Sequence, residues 1–199
     1  MEFALSKRAS VGRWWFRNRS ASPLPILVLI LFVRPDFDMH ASIFVLGLAC
    51  LIAAESLRIW AVGVAGSGTR TRGDDVNKLV LIGPYQISRN PLYIANILLY
   101  TSVGLLFGHI FLTIVSLGYF IIQYVLIVAY EEDLLTKKFG AEYSSYCKKV
   151  PRWLIGPRQE LIFINQTIDI RKAIRSERST LYAIALVSLL WMTRFIWRG

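Results

Sequence analysis

The apolar residues of this chain are bunched rather than spread. Residues 24–33, 41–65, 92–107, 110–129 and 181–197 are nearly free of charge, and polar stretches separate them. A helix needs roughly 20 mostly apolar residues to cross the hydrocarbon core of a bilayer. The second and fourth runs reach that length. The first is short and needs Trp14, Trp15 and Phe16, or other flanking residues, to complete a span. The third and fifth lean on flanking aromatic residues. With 55% hydrophobic residues and a mean hydropathy of +0.48, the chain carries less charge than a soluble domain of its size. The expected fold is an all-α integral membrane protein of about five transmembrane helices, with all 199 residues in one membrane domain.

The formal charge is +10, and its placement says more than its size. With five spans and a cytosolic N-terminus, Lys7, Arg8, Arg13, Arg17 and Arg19 are cytosolic. So are the 66–90 loop and the long 131–179 segment, which hold most of the remaining lysines and arginines. The opposite side receives Arg34, Asp36, Asp38, the Gly108-His109 turn and Arg198. This asymmetry is what the positive-inside rule expects. The basic charge is thus read as topology plus attraction to anionic lipid, not as nucleic-acid binding. The first run starts deep in the chain. Arg34-Pro35-Asp36 follows it in place of a small-residue cleavage site, so it reads as a span and not a signal peptide. Cys50 and Cys147 fall at different membrane levels, which argues against a disulfide. With His40 and His109 as the two histidines and no ligand spacing, no metal site is expected.

Along the chain, residues 1–20 form a basic, aromatic interfacial lead-in, and Pro23 and Pro25 open the first span. Glu55 and Arg58 lie three apart on one helical face of the second span, which reads either as a pair neutralising itself at the membrane edge or as a functional pair of charges in a span. Residues 79–82 are β-prone, but a single short run has no partner strand, so an extended interfacial segment is expected. Asn90 suits an N-cap and Pro91 the first helical turn of the third span. The brief turn between Gly104 and His109 makes spans three and four a tight antiparallel hairpin. The fourth helix continues past Glu131-Glu132-Asp133 until Gly140 ends it, and residues 142–149 form one further polar helix. Residues 158–178 read as an amphipathic helix on the membrane. Three sections follow: spans and loop over 1–91, hairpin and cap over 92–152, and amphipathic segment and last span over 153–199.

Two stretches carry the chemistry. One is Gly83-Pro84-Tyr85-Gln86-Ile87-Ser88-Arg89-Asn90-Pro91-Leu92-Tyr93. The other begins at Glu131-Glu132-Asp133-Leu134-Leu135, passes Phe139-Gly140, Tyr143 and Tyr146, and ends at Val150-Pro151-Arg152. The hairpin should bring them to one mouth, with Tyr85, Arg89, Asn90 and Tyr93 facing Glu131 and Glu132. Together, in this order and at this spacing, they resemble the isoprenylcysteine carboxyl methyltransferase and phospholipid methyltransferase family of membrane enzymes. The family pattern is Gly-x-Tyr-x-x-x-Arg-His-Pro-x-Tyr, a helical hairpin, then Glu-Glu-x-x-Leu and Val-Pro-Arg. The resemblance spans residues 55–152.

That resemblance implies S-adenosylmethionine as methyl donor and a lipid or lipid-linked acceptor, bound at a cytosolic cofactor-binding cap. The implied cofactor-binding residues are Leu79, Val80, Tyr85, Asn90, Pro91, Leu92, Tyr93 and Glu131, with Arg89 and Glu132 beside them. Two positions depart from the family. Asn90 stands where eukaryotic members have His, and Asn does not change protonation near neutral pH. Ile127 stands where prenylcysteine-modifying members carry a substrate-facing Arg, which argues against a prenylcysteine carboxylate as acceptor. The residues themselves make sense of a sulfonium donor. Tyrosine faces attract its positive charge, and Glu131 offers charge-assisted hydrogen bonds. Methyl transfer needs alignment more than proton transfer, so no catalytic base is assigned. The alternatives are a sterol-reductase-like nicotinamide enzyme and a non-catalytic membrane scaffold. Oligomeric state is not readable from the sequence.

Overall fold

The computed structural model describes residues 7–33, 40–65, 79–153 and 170–196, and every structured element among them is helical. The helices are α1 (Lys7–Arg17), α2 (Leu24–Phe32), α3 (Ala41–Ala65), α4 (Pro91–Leu106), α5 (Ile110–Lys149), α6 (Ile170–Ser176) and α7 (Arg178–Ile196). Several expectations lie outside the described residues. These are the Arg34-Pro35-Asp36 exit, the loop over 66–78, most of the amphipathic segment before Ile170, and the Trp197-Arg198 anchor.

Two helices, α3 and α5, are long and apolar enough to cross a membrane. Only 17% and 33% of their most apolar stretches are buried, so they do not serve as the core of a soluble protein. Their outward faces show Val45, Ile52, Ile114 and Ile122, each about three-fifths exposed. Continuous apolar surface of this kind is compatible with lipid and costly in water. The five-span expectation is not met by length alone. Helix α4 has 16 residues and α2 has nine, or roughly 24 Å and 13 Å at 1.5 Å per residue. Trp14, Trp15 and Phe16 do not lengthen the first run. They belong to α1, a separate helix that ends at Arg17 before a turn, and Pro25 sits in the first turn of α2.

Helix α4 lies between α3 and α5, while α1 and α2 pack on α5 and α6 packs on α3. The main core gathers Phe16, Ile26 and Ile30 from the first two helices with Phe107, Leu112, Phe120, Tyr124, Ile127 and Tyr130. On α3, Arg58 Nε lies 3.5 Å from Glu55, as the three-residue spacing implies. Arg58 Nη2 also donates to Glu177 at 2.6 Å and to Thr180 at 3.0 Å, tying α3 to the start of α7. The fully buried Glu177 was not singled out by the sequence, since its partner lies more than a hundred positions away.

The hairpin turn is made by close backbone approach. A Cβ built on Gly104 would stand 2.5 Å from the Thr113 nitrogen, so any larger residue pushes α4 off α5. Overpacking of this kind costs about 1–3 kcal/mol. Gly104→Ala is therefore expected to lower the thermal unfolding midpoint in detergent. Gly118→Ala, where nothing lies within 4 Å, should leave it unchanged or raise it. Equal behaviour of the two variants would contradict this account of the turn.

Candidate functional site

The hairpin fixes which residues of α4 and α5 meet. From the Gly104–Thr113 contact, the two helices run back antiparallel with aromatic rings between them. Tyr100 stacks on Phe120 at 3.9 Å, Phe120 and Tyr124 follow at 6.0 Å, and Tyr124 stacks on Tyr93 at 4.8 Å. The row ends at the first turn of α4. There the Tyr93 hydroxyl donates to Glu131 Oε1 at 2.8 Å.

Glu131 and Glu132 are neighbours on one helix, so they point about 100° apart and meet different partners. Glu132 accepts from Arg89 Nη1 at 2.9 Å and from Arg152 Nε at 3.0 Å, and its other oxygen pairs with Arg152 Nη2. Two guanidinium groups thus engage this carboxylate. Burial works against the Arg89 charge, but Glu132 and neighbouring groups outweigh it and raise the Arg89 pKa. Glu131 has no such clamp. Burial pushes its carboxyl up to about 7. The Tyr93 hydrogen bond and then Arg19 pull it down, and Glu132 pushes it further up. The apolar part of α5 ends at Ala129. Twenty residues fill about 30 Å of hydrocarbon, so Glu131 stands just beyond it.

A strap closes this end. Past the polar half of α5, the chain crosses residues 88–90. Arg89 N donates to Pro151 O at 3.0 Å, Ser88 Oγ to Arg152 O at 3.1 Å, and Asn90 Nδ2 to the same carbonyl at 3.0 Å. Asn90 occupies the N-cap position of α4, but its side chain makes no capping bond and holds the strap instead. Gly140, at φ +48° inside α5, bends the polar half back toward the loop. A side chain rarely adopts that backbone conformation, which explains glycine there. Tyr146 then donates to the Tyr85 carbonyl at 2.6 Å. Tyr143, Tyr146 and Val150 form a second small core with Leu79, Leu81, Leu135 and Phe139.

The expected residues therefore separate into groups. Tyr93 and Glu131 touch. Arg89 and Glu132 pair with each other. Asn90 binds the strap. Pro91 is buried and Leu92 half-buried in the first turn of α4. Tyr85 sits in a short 3-10 turn (Gly83–Gln86), and burial, with Glu131 second, holds its hydroxyl pKa above the ordinary value. Leu79 packs under Tyr143 and Tyr146, and Val80 lies half-buried in the same extended run. Tyr124, Asn96 and Arg19 also belong here, although the sequence did not single them out for the site. The Asn96 Oδ1 acceptor is buried without a partner. Stacking partners and an orphan acceptor leave no local signature; they follow from helix register.

Glu132→Ala would take the carboxylate partner from the Arg89 guanidinium, which is only 14% exposed, and leave Nη1 the Cys147 sulfur at 2.8 Å. The expected loss of stability is about 1–3 kcal/mol. Arg152→Ala removes a partner that is 47% exposed and should cost under about 1 kcal/mol. Unfolding in detergent that ranks the two the other way would refute the clamp described above.

A family model described as phospholipid methyltransferase matches residues 42–142, about half of the chain. The chain is also 26% identical over 140 residues to the nickel-cobalt-cadmium resistance protein NccN of Alcaligenes xylosoxydans xylosoxydans. That match covers 68% of this chain and 61% of the relative, so the chain spans less than two thirds of the relative's length. No solved structure matches.

Proposed function

Because this chain belongs to the phospholipid methyltransferase family, we propose that its Tyr93–Glu131 mouth holds S-adenosylmethionine for methyl transfer to a lipid or lipid-linked headgroup. The observation that carries this reading is the asymmetry of the two adjacent carboxylates. Glu132 is engaged by Arg89 and Arg152, whereas Glu131 makes a hydrogen bond to Tyr93 and stands at the end of an aromatic row. S-adenosylmethionine carries a sulfonium, an ammonium and hydroxyl donors. The residues present suit that set of groups. Glu131 is an anionic acceptor, Asn96 Oδ1 is a buried acceptor with no partner, and Tyr93, the last ring of the aromatic row, is the one whose outer face would meet a cation.

When bound, the donor supplies an electrophilic methyl group; the chain's residues supply binding, alignment and dryness. Glu131 and Asn96 would hold polar groups of the donor. The Arg89–Glu132–Arg152 clamp and the strap over Ser88 and Asn90 fix the mouth around them. Alignment and exclusion of water supply much of what such a displacement needs, on the order of 7–11 kcal/mol in favourable cases. No residue is assigned as a base. Leu79, Val80, Tyr85, Pro91 and Leu92 are read as the wall of the same site. The mouth is read as cytosolic, because Lys137, Lys138, Lys148, Lys149 and Arg152 lie at this end of α5. A lipid acceptor fits a site that opens where hydrocarbon gives way to headgroups.

Calorimetric titration of the purified protein with S-adenosylmethionine tests the assignment. Micromolar-range binding that Glu131→Ala weakens at least tenfold is expected. Absence of binding by well-folded protein would reject it, and reduced nicotinamide would be titrated next.

The pH dependence gives a second, independent check. Ligand cations favour the ionised carboxylate, so affinity should climb as pH rises from 6 to 8 through the Glu131 pKa of about 7. Below that pKa the slope approaches about tenfold per pH unit. Glu131→Gln shares every other titration and should lack this component. The stability effect has the opposite sign. The folded-state pKa is raised from 4.5 to about 7, so the native state binds the extra proton and stability falls as pH rises from 4.5 to about 7, levelling off above it. A wild-type affinity profile that matches the variant's would remove Glu131 from the binding role.

A further inference from the structure

Helix α1 contributes no residue to the hairpin turn or to the Tyr93–Glu131 hydrogen bond, yet one of its faces fits α5 closely. Ala9, Gly12 and Phe16 are buried at helical spacing. A side chain at Gly12 would strike the Leu126 carbonyl, and the Phe16 ring lies 5.6 Å from that of Tyr130. Leu126 and Tyr130 flank the end of the apolar run of α5. The exposed Ile114, Leu117, Ile121, Ile122 and Val125 come just before them on the same helix. Helix α1 is therefore anchored where hydrocarbon gives way to headgroups. At 11 residues, about 16 Å, it is too short to span.

The other face of α1 is of a different kind. Arg8, Arg13 and Arg17 are exposed. Between them Trp14 is 58% exposed and Val11 49%. No Asp or Glu occurs among residues 7–33 to neutralise these arginines. We propose that the outer face of α1 is a docking surface for anionic phospholipid headgroups, with Trp14 seated in the bilayer interface and the three arginines on lipid phosphates. Tryptophan favours that level of the membrane. Guanidinium groups bind phosphate oxygens in a bidentate fork. The apolar Val11 and Trp14 set among the arginines favour a lipid surface over nucleic acid, which would leave them in water. Just past the helix, Arg19 lies 4.3 Å over the Phe16 ring, so the docked helix adjoins the turn that carries Glu131.

The test uses the full chain in phosphatidylcholine vesicles containing either brominated phosphatidylglycerol or brominated phosphatidylcholine at the same mole fraction. Bromine quenches nearby tryptophan. The chain has six tryptophans, so the difference between wild type and Trp14→Phe isolates Trp14. Brominated phosphatidylglycerol is expected to quench Trp14 at least twofold more strongly, and added salt should shrink that preference. About fivefold in local enrichment is expected per arginine near an anionic surface. The triple variant Arg8→Gln, Arg13→Gln, Arg17→Gln should therefore be quenched equally by the two lipids. Equal quenching of the wild-type protein would overturn the proposal. So would absence of quenching by either lipid, which would place this face in water or against a protein.

Discussion

The contact of Gly104 with the Thr113 backbone sets the relation between α4 and α5, and the site inherits its geometry from that relation. Two helices joined by so short a turn have little freedom to slide. Once the turn is closed, the stacked rings of Tyr100, Phe120, Tyr124 and Tyr93 follow in order, each filling the gap left by its neighbours. Aromatic stacking in a low-dielectric bundle adds only about 0.5–1.5 kcal/mol per pair beyond burial. Its larger effect is to fix register over about two helical turns. That register brings Tyr93 to Glu131 rather than to a residue one turn away.

Beyond the membrane level the governing interaction changes from apolar packing to charge. Adjacent carboxylates in a low-dielectric setting repel, and two unpaired ones would be costly together. The fold resolves this by giving Glu132 two arginines, one from the loop before α4 and one from the strap after α5. Glu131 meets a tyrosine and stands within reach of the Arg19 field; burial outweighs the downward pull of both and raises its pKa toward neutrality. Chain segments more than forty positions apart thus share one clamp. The strap bonds from Ser88, Arg89 and Asn90 close it. This division ties one carboxylate into the architecture and leaves its neighbour with a single tyrosine hydrogen bond.

Much of this was legible in the sequence because membrane and helix rules act locally. A run of 20 apolar residues is visible as a string, and so are Pro91 at a helix start and Gly140 at a break. The meeting of Glu131 and Glu132 with the loop before α4 was legible too, since a short turn forces an antiparallel hairpin. Less legible was the first apolar run. Its length invited completion by Trp14, Trp15 and Phe16, but the turn after Arg17 separates those residues into α1, which packs on α5. Asn90 had the identity of a capping residue, yet its side chain binds the Arg152 carbonyl, a partner that no local rule supplies.

The sequence by itself determined the membrane character, the helical hairpin and the candidate residues, because hydrophobic length, turn chemistry and motif spacing are properties of neighbouring positions. The tertiary structure decided which carboxylate is paired, which tyrosine it meets and which arginines hold its neighbour. It also decided that Glu177 joins Arg58 in the interior. Those choices depend on the angular phase of one helix against another. Phase is set by packing at distant contacts such as Gly104 against Thr113, and no stretch of the chain encodes it alone.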